Sequence, residues 1–88
     1  MKKIVSVIKP FTISQNIFVY EDGNKILNFN SPLGDLQNNL LEIAKKYRIE
    51  EIDLIGSKKY CGGIKKQIQE KELSKYNENK LVINLINE

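Results

Sequence analysis

The sequence predicts a single α/β domain built on a mixed sheet, with five strands and two helices in the order βββαβαβ. Two patterns carry this expectation. Three short apolar runs of strand type open the chain, the second and third joined by a tight turn. A long stripe of apolar residues at helical spacing then leads to a fourth apolar run, a shorter helix and a last apolar run. With 88 residues and 41% apolar content, the chain suits one compact domain over 1–88, and a second domain has no room.

The elements follow in order. Lys3 to Lys9 holds Ile4, Val5, Val7 and Ile8 with only Ser6 between them, a nearly continuous β-branched run expected at the sheet centre with both faces covered. Pro10 has no N–H and should end the ladder. Gln15 to Tyr20 and Lys25 to Asn30 flank Glu21-Asp22-Gly23-Asn24, where Asp-Gly supplies the positive φ of a tight hairpin.

Ser31 is expected to cap a helix and Pro32 to occupy its first position, with Asp35 in the first turn near the positive end of the helix dipole. Leu33, Leu36, Leu40, Ile43, Ala44 and Tyr47 form its apolar stripe, and Lys45, Lys46 and Arg48 fill its last turn. Glu51 to Ile55 reads as a fourth strand, a parallel neighbour of the first through a right-handed crossover. Cys61, Ile64 and Ile68 recur at i, i+3 and i+7, giving a second helix through about Glu70 or Glu72. Tyr76 to Lys80 is polar and turn-like, and Leu81 to Ile86 is the last strand.

Composition narrows the chemistry. The chain has no histidine, which removes Ser-His-Asp and Cys-His mechanisms and His-containing metal sites. Cys61 stands alone, so no disulfide forms within the chain, and nothing at the start reads as a signal peptide. A reducing, cytoplasmic setting is expected. No run approaches the ~18 apolar residues that read as a membrane span. The net charge of +3 and pI near 9.0 decide nothing alone; the placement of the charges must.

The order βββαβαβ resembles the RNase H-like fold, a three-strand antiparallel meander extended by two parallel strands, with sheet order 3-2-1-4-5. The resemblance spans the whole chain and rests on element order. In catalytic members two divalent metals are held by an aspartate at the middle of the first strand, an acid on the first helix and further acids near or beyond the end of the fourth strand. Here the first strand carries Ser6 at its centre and Lys3 and Lys9 at its ends, and no Asp or Glu occurs from Met1 to Tyr20. Without that carboxylate, Glu42 on the first helix and Asp53 in the fourth strand do not make a two-metal site. Glu42 is expected in solvent and Asp53 paired. The richness in Lys, Asn and Ile is similar to that of small accessory proteins of bacteriophages or of low-GC bacteria.

One segment invites a functional reading. Gly56, Ser57, Lys58, Lys59, Tyr60, Cys61, Gly62 and Gly63 are expected to form a loop after the fourth strand that opens the second helix, where ligands of open sheets tend to sit. With Lys65 and Lys66 it gathers four lysines and no acid. Glycine amides, a helix N-terminus and the Tyr60 ring suit an anion, a nucleotide or nucleic acid. The segment is not a Walker P-loop, because Cys61 stands where the second glycine belongs and Gly62 where the lysine does. The structural alternative is that Gly56 ends the strand, Gly62 and Gly63 permit a tight helix entry, and the lysines are a solvated face. Cys61 is expected to be a buried thiol, although nearby lysines at a helix start would lower its pKa. Tyr60 and Tyr76 are the tyrosines placed among polar residues where a partner could meet them.

These readings favour a non-enzymatic binding module without a cofactor. It would contact a protein partner, or form a homodimer through an exposed sheet edge at Leu81 to Ile86, and a phage-type accessory role fits. Binding of nucleic acid or nucleotide phosphate through 56–66 is the alternative.

Overall fold

The computed structural model describes residues 1–9, 12–75 and 81–87, leaving aside the side chains of 71–75. β1 (Lys2–Ile8), β2 (Ser14–Glu21) and β3 (Asn24–Pro32) form the antiparallel meander. A 3₁₀ turn (Leu33–Asp35) and α1 (Leu36–Tyr47) lead to β4 (Glu51–Gly56), and α2 (Lys58–Lys75) leads to β5 (Val82–Ile86). The sheet order is β3-β2-β1-β4-β5, with β4 parallel to both β1 and β5. This is the mixed five-stranded, two-helix arrangement that the element order predicts. Pro10 and Tyr76 to Lys80 lie outside the described residues.

The hairpin forms for the expected reason. Asp22 (φ 51°) and Gly23 (φ 86°) both take positive φ, the pair of conformations that a two-residue turn matched to strand twist requires, and Glu21 pairs with Asn24 across it. A register shift at Val19/Tyr20 leaves Ile26 as an extra residue in β3.

The helix entry differs from expectation. Ser31 and Pro32 belong to β3, opposite Gln15 and Ser14, and Ser31 is fully buried. Its hydroxyl donates to Pro32 C=O (2.9 Å) and accepts from Asn39 Nδ2 (2.8 Å), so it ties β3 to α1 instead of capping a helix. α1 begins only at Leu36, with no side chain capping its amides. The ladder to β2 holds the backbone extended through Pro32, and this overrides the local capping signal. Arg48 then ends α1 in the left-handed conformation (φ 54°).

Both crossovers step in the same direction across the sheet, from β3 past β2 and β1 to β4 and from β4 to β5, so right-handedness sets both helices on one face. The core lies between: Ile4, Ile8, Ile17, Val19, Ile52, Leu54 and Ile83 from the sheet meet Leu36, Leu40, Leu41, Ala44, Cys61 and Ile68 from the helices. Leu33, Ile43 and Tyr47 complete the stripe only at its margin, while Leu41, outside the predicted stripe, is buried. The continuous apolar run of β1 therefore does not mean two covered faces. No described element lies over the second face, where Val5, Val7, Phe18 and Ile55 are half-buried.

Candidate functional site

The segment 56–66 is not a loop. β4 runs to Gly56, Ser57 alone connects it to α2, and Lys58, Lys59 and Tyr60 form the first helical turn, with Cys61 N–H donating to Ser57 C=O (2.9 Å). Gly62 and Gly63 lie inside the helix rather than at its entry, and a Cβ at either would meet nothing within 4 Å. They are not bent to converge on a ligand. Gly56 is different: at φ +149° its Cα passes so near β1 that a Cβ would stand 2.7 Å from Ile8 C=O. Its role is the close approach of two parallel strands.

Helical geometry sorts the lysines by face. Cys61, Ile64 and Ile68 turn to the core, and Lys58, Lys59 and Lys66 lie on the exposed side with the two glycines between them. Lys65 is half-buried at the border, and Tyr60 is exposed at 44%. None of the four lysines forms an ion pair among the described residues. The structure thus offers a basic helical face in place of a glycine-rich cradle. Burial pushes the Cys61 thiol up from its ordinary pKa, the reverse of what the neighbouring lysines suggest, because the side chain is only 1% exposed and points away from them.

The two acids weighed as metal ligands stand on opposite sides of the sheet. Glu42 is exposed on α1, beside a hollow of about 300 Å³ bounded by Phe29, Asn39, Ile43 and Tyr47. Asp53 alternates with the core residues Ile52 and Leu54 and so points to the uncovered face. They cannot share an ion. Among the described residues no three of Cys, Asp and Glu converge.

The uncovered face carries a polar cluster that single-residue patterns did not reveal. Asp53, 5% exposed, accepts from Lys3 Nζ (2.5 Å) and Asn84 Nδ2 (2.9 Å), and Asn84 Nδ2 also donates to Glu51 Oε1 (2.7 Å). The hydrogen bond to Asp53 above all, aided by the charges of Asp53 and Glu51 and opposed by burial, holds the Lys3 ammonium above its usual pKa. The signal lay in strand parity: once the register is known, Val5 opposite Asp53 and Asp53 opposite Asn84 put these residues in one row.

Around this cluster the face is apolar. Val7, Ile55 and Ile86 form one row, and Val82 (52% exposed) and Ile86 (41%) lie on the edge strand β5. Lys25 Nζ sits 4.3 Å from the Phe18 ring centroid at the other side. A second hollow, of about 380 Å³, lies near Lys3, Val5 and Tyr20. Neither hollow is lined by 56–66. No described helix is long and apolar enough to cross a membrane.

The chain matches no protein-family model and no curated protein. It is similar in structure to a protein from Bacteroides thetaiotaomicron VPI-5482 with an actin-like ATPase fold and unknown function, at a TM-score of 0.64 and 20% sequence identity. The likeness covers 97% of this chain and 32% of the other, so this chain spans about a third of that protein. At this identity the likeness concerns the fold: a mixed sheet of order 3-2-1-4-5 with two helices, of the RNase H-like type.

Proposed function

We propose that this domain is a non-enzymatic binding module whose partner is a protein, met through β5 and the adjoining uncovered face of the sheet. The observation that carries the reading is the exposure of Val82, Leu85 and Ile86, three large apolar residues within a five-residue edge strand that has no charge, glycine or proline. Strand addition at such an edge supplies backbone hydrogen bonds, and the apolar side chains on both sides of the strand supply buried area. The carboxylate that would anchor divalent chemistry on β1 is missing from the sequence, and Asp53 is already engaged by Lys3 and Asn84. An accessory protein that acts by occupying a host protein, as its phage-like composition suggests, would use such a surface. The test compares wild type with Val82→Lys for self-association in solution and for retention of a protein partner. A wild type that does neither, or a variant that does both equally well, overturns the reading.

A second reading has its own observation. Lys58, Lys59 and Lys66 share one exposed face of α2, next to the exposed Tyr60 ring. Contact with a nucleic-acid backbone there would weaken steeply with salt as counterions are released. Exchange of Lys58, Lys59, Lys65 and Lys66 for glutamine should then abolish retention on single-stranded DNA; unchanged retention eliminates it.

A further inference from the structure

The two edges of the sheet are not equivalent. β3 carries the devices that discourage strand pairing: Lys25, an extra residue at Ile26, polar Asn24, Asn28 and Asn30, and Pro32 at its end. β5 has no lysine, extra residue or proline and only Asn84 as a polar residue, and its register to β4 is continuous from Val82 to Ile86. The free edge of β5 also presents a definite set of backbone groups. Val82 N–H donates to Glu50 C=O (3.1 Å), so the amides of Val82, Asn84 and Ile86 face β4, and by strand alternation those of Ile83 and Leu85 face outward.

Resting on the binding-module reading, we propose that the partner is a second copy of this chain, paired antiparallel through β5 in the register that sets the two Asn84 residues opposite each other. Two-fold symmetry about an axis normal to the sheet keeps the helix-covered faces of the two copies on one side. Opposed residues must then share a face, which leaves only registers centred on a residue. Centred on Asn84, Val82 meets Ile86 of the second copy, Ile86 meets its Val82, and Ile83 and Leu85 exchange N–H and C=O bonds in both directions. Every exposed apolar side chain of the strand thereby gains an apolar partner. A centre at Ile83 or Leu85 instead opposes Asn84 to Val82 or Ile86 and leaves part of the strand unpaired.

One further feature agrees. Asn84 Nδ2 is drawn toward β4 by Glu51 and Asp53, so the residue at the two-fold axis keeps its side chain off the edge. The strand is therefore self-complementary in apolar pairing and in backbone donors and acceptors.

The full chain is examined by sedimentation equilibrium and by oxidative cross-linking. Wild type should sediment at twice 10.2 kDa at high micromolar concentration. Val82→Lys, at an exposed position beside Glu51, should be monomeric with an unchanged circular dichroism spectrum. Val82→Cys with Ile86→Cys should oxidise to a covalent dimer, since these positions lie too far apart within one strand to bridge internally, and Val82→Cys with Leu85→Cys, on opposite faces, should not. Equal cross-linking in both double variants overturns the register. A monomeric wild type that retains another protein, with retention lost in Val82→Lys, overturns self-pairing and leaves the binding-module reading intact. A monomeric wild type that retains nothing overturns both.

Discussion

Lys3 Nζ lies 2.5 Å from Asp53 Oδ2 on the uncovered face of the sheet, reaching diagonally from β1 to β4 past Glu51 at 3.9 Å. The carboxylate is nearly enclosed, with 7% of its side chain exposed, whereas the lysine keeps 34%. The two partners are thus unequal, and removal of one differs from removal of the other.

Lys3→Met leaves a buried carboxylate held only by Asn84, and should cost about 2 kcal/mol or more by the logic of a broken buried pair. Asp53→Asn leaves an ammonium that can turn to water and to Glu51, so its cost should be smaller. Because the folded state raises the lysine pKa, the contribution of the pair is whole below the ordinary value of 10.5 and is lost as pH rises through the folded-state value. Urea unfolding at neutral pH and above about pH 11 should show a larger alkaline loss in wild type than in Lys3→Met. Equal losses would remove the pair from the account.

The glycines of 56–63 should respond in opposite directions. Gly62→Ala and Gly63→Ala have open space and helical backbone, and should each stabilise by about 0.5–1 kcal/mol. Gly56→Ala must move Ile8 C=O or the strand itself and should destabilise by about 2 kcal/mol or more. Thermal unfolding of the three variants measures this, and stabilisation at all three positions contradicts the β4–β1 approach.

Cys61 is 1% exposed and its thiol is held above its usual pKa by burial, so it should be inert to a thiol reagent in the native state and react at the rate of global opening. Cys61→Ala should cost about 1–3 kcal/mol through the cavity left beside Gly56 and Ile68. Rapid native labelling that is insensitive to denaturant contradicts its burial.

Gln15, 2% exposed, closes the connection between β1 and β2: its Oε1 accepts from Lys9 N–H (2.9 Å), and its Nε2 donates to Lys9 C=O (2.8 Å) and Thr12 Oγ1 (2.5 Å). Gln15→Leu should cost about 1–3 kcal/mol, the scale for buried polar groups left without partners. Chemical denaturation against Gln15→Glu, which retains an acceptor for Lys9 N–H, separates lost hydrogen bonding from altered packing.

Much of the fold was legible because its signals are local or periodic. Asp22-Gly23 has few conformations open to it, and the apolar spacing of Leu36, Leu40 and Ala44 or of Cys61 and Ile68 marks one helical face whatever surrounds it. Local preference misleads where tertiary contacts compete with it. Ser31-Pro32 carries a capping signature, yet the ladder to Gln15 and Ser14 claims both residues for β3. Gly62-Gly63 reads as a loop, yet helix α2 runs through it because Cys61, Ile64 and Ile68 anchor the turns on either side to the core.

By itself the sequence determined the element order, the hairpin turn, the buried thiol and the absence of an acid along the first strand, since each follows from residues close in the chain. Only the tertiary structure decided that Glu42 and Asp53 lie on opposite sides of the sheet, that Asp53 and Asn84 share one row with Lys3 reaching them from the neighbouring row, and that the basic segment is a helical face. Those relations depend on register and crossover hand, which bring together residues dozens of positions apart. Two crossovers of the same hand put both helices on one side, and so the other face of the sheet is uncovered by any described element, with the unguarded strand β5 at its edge.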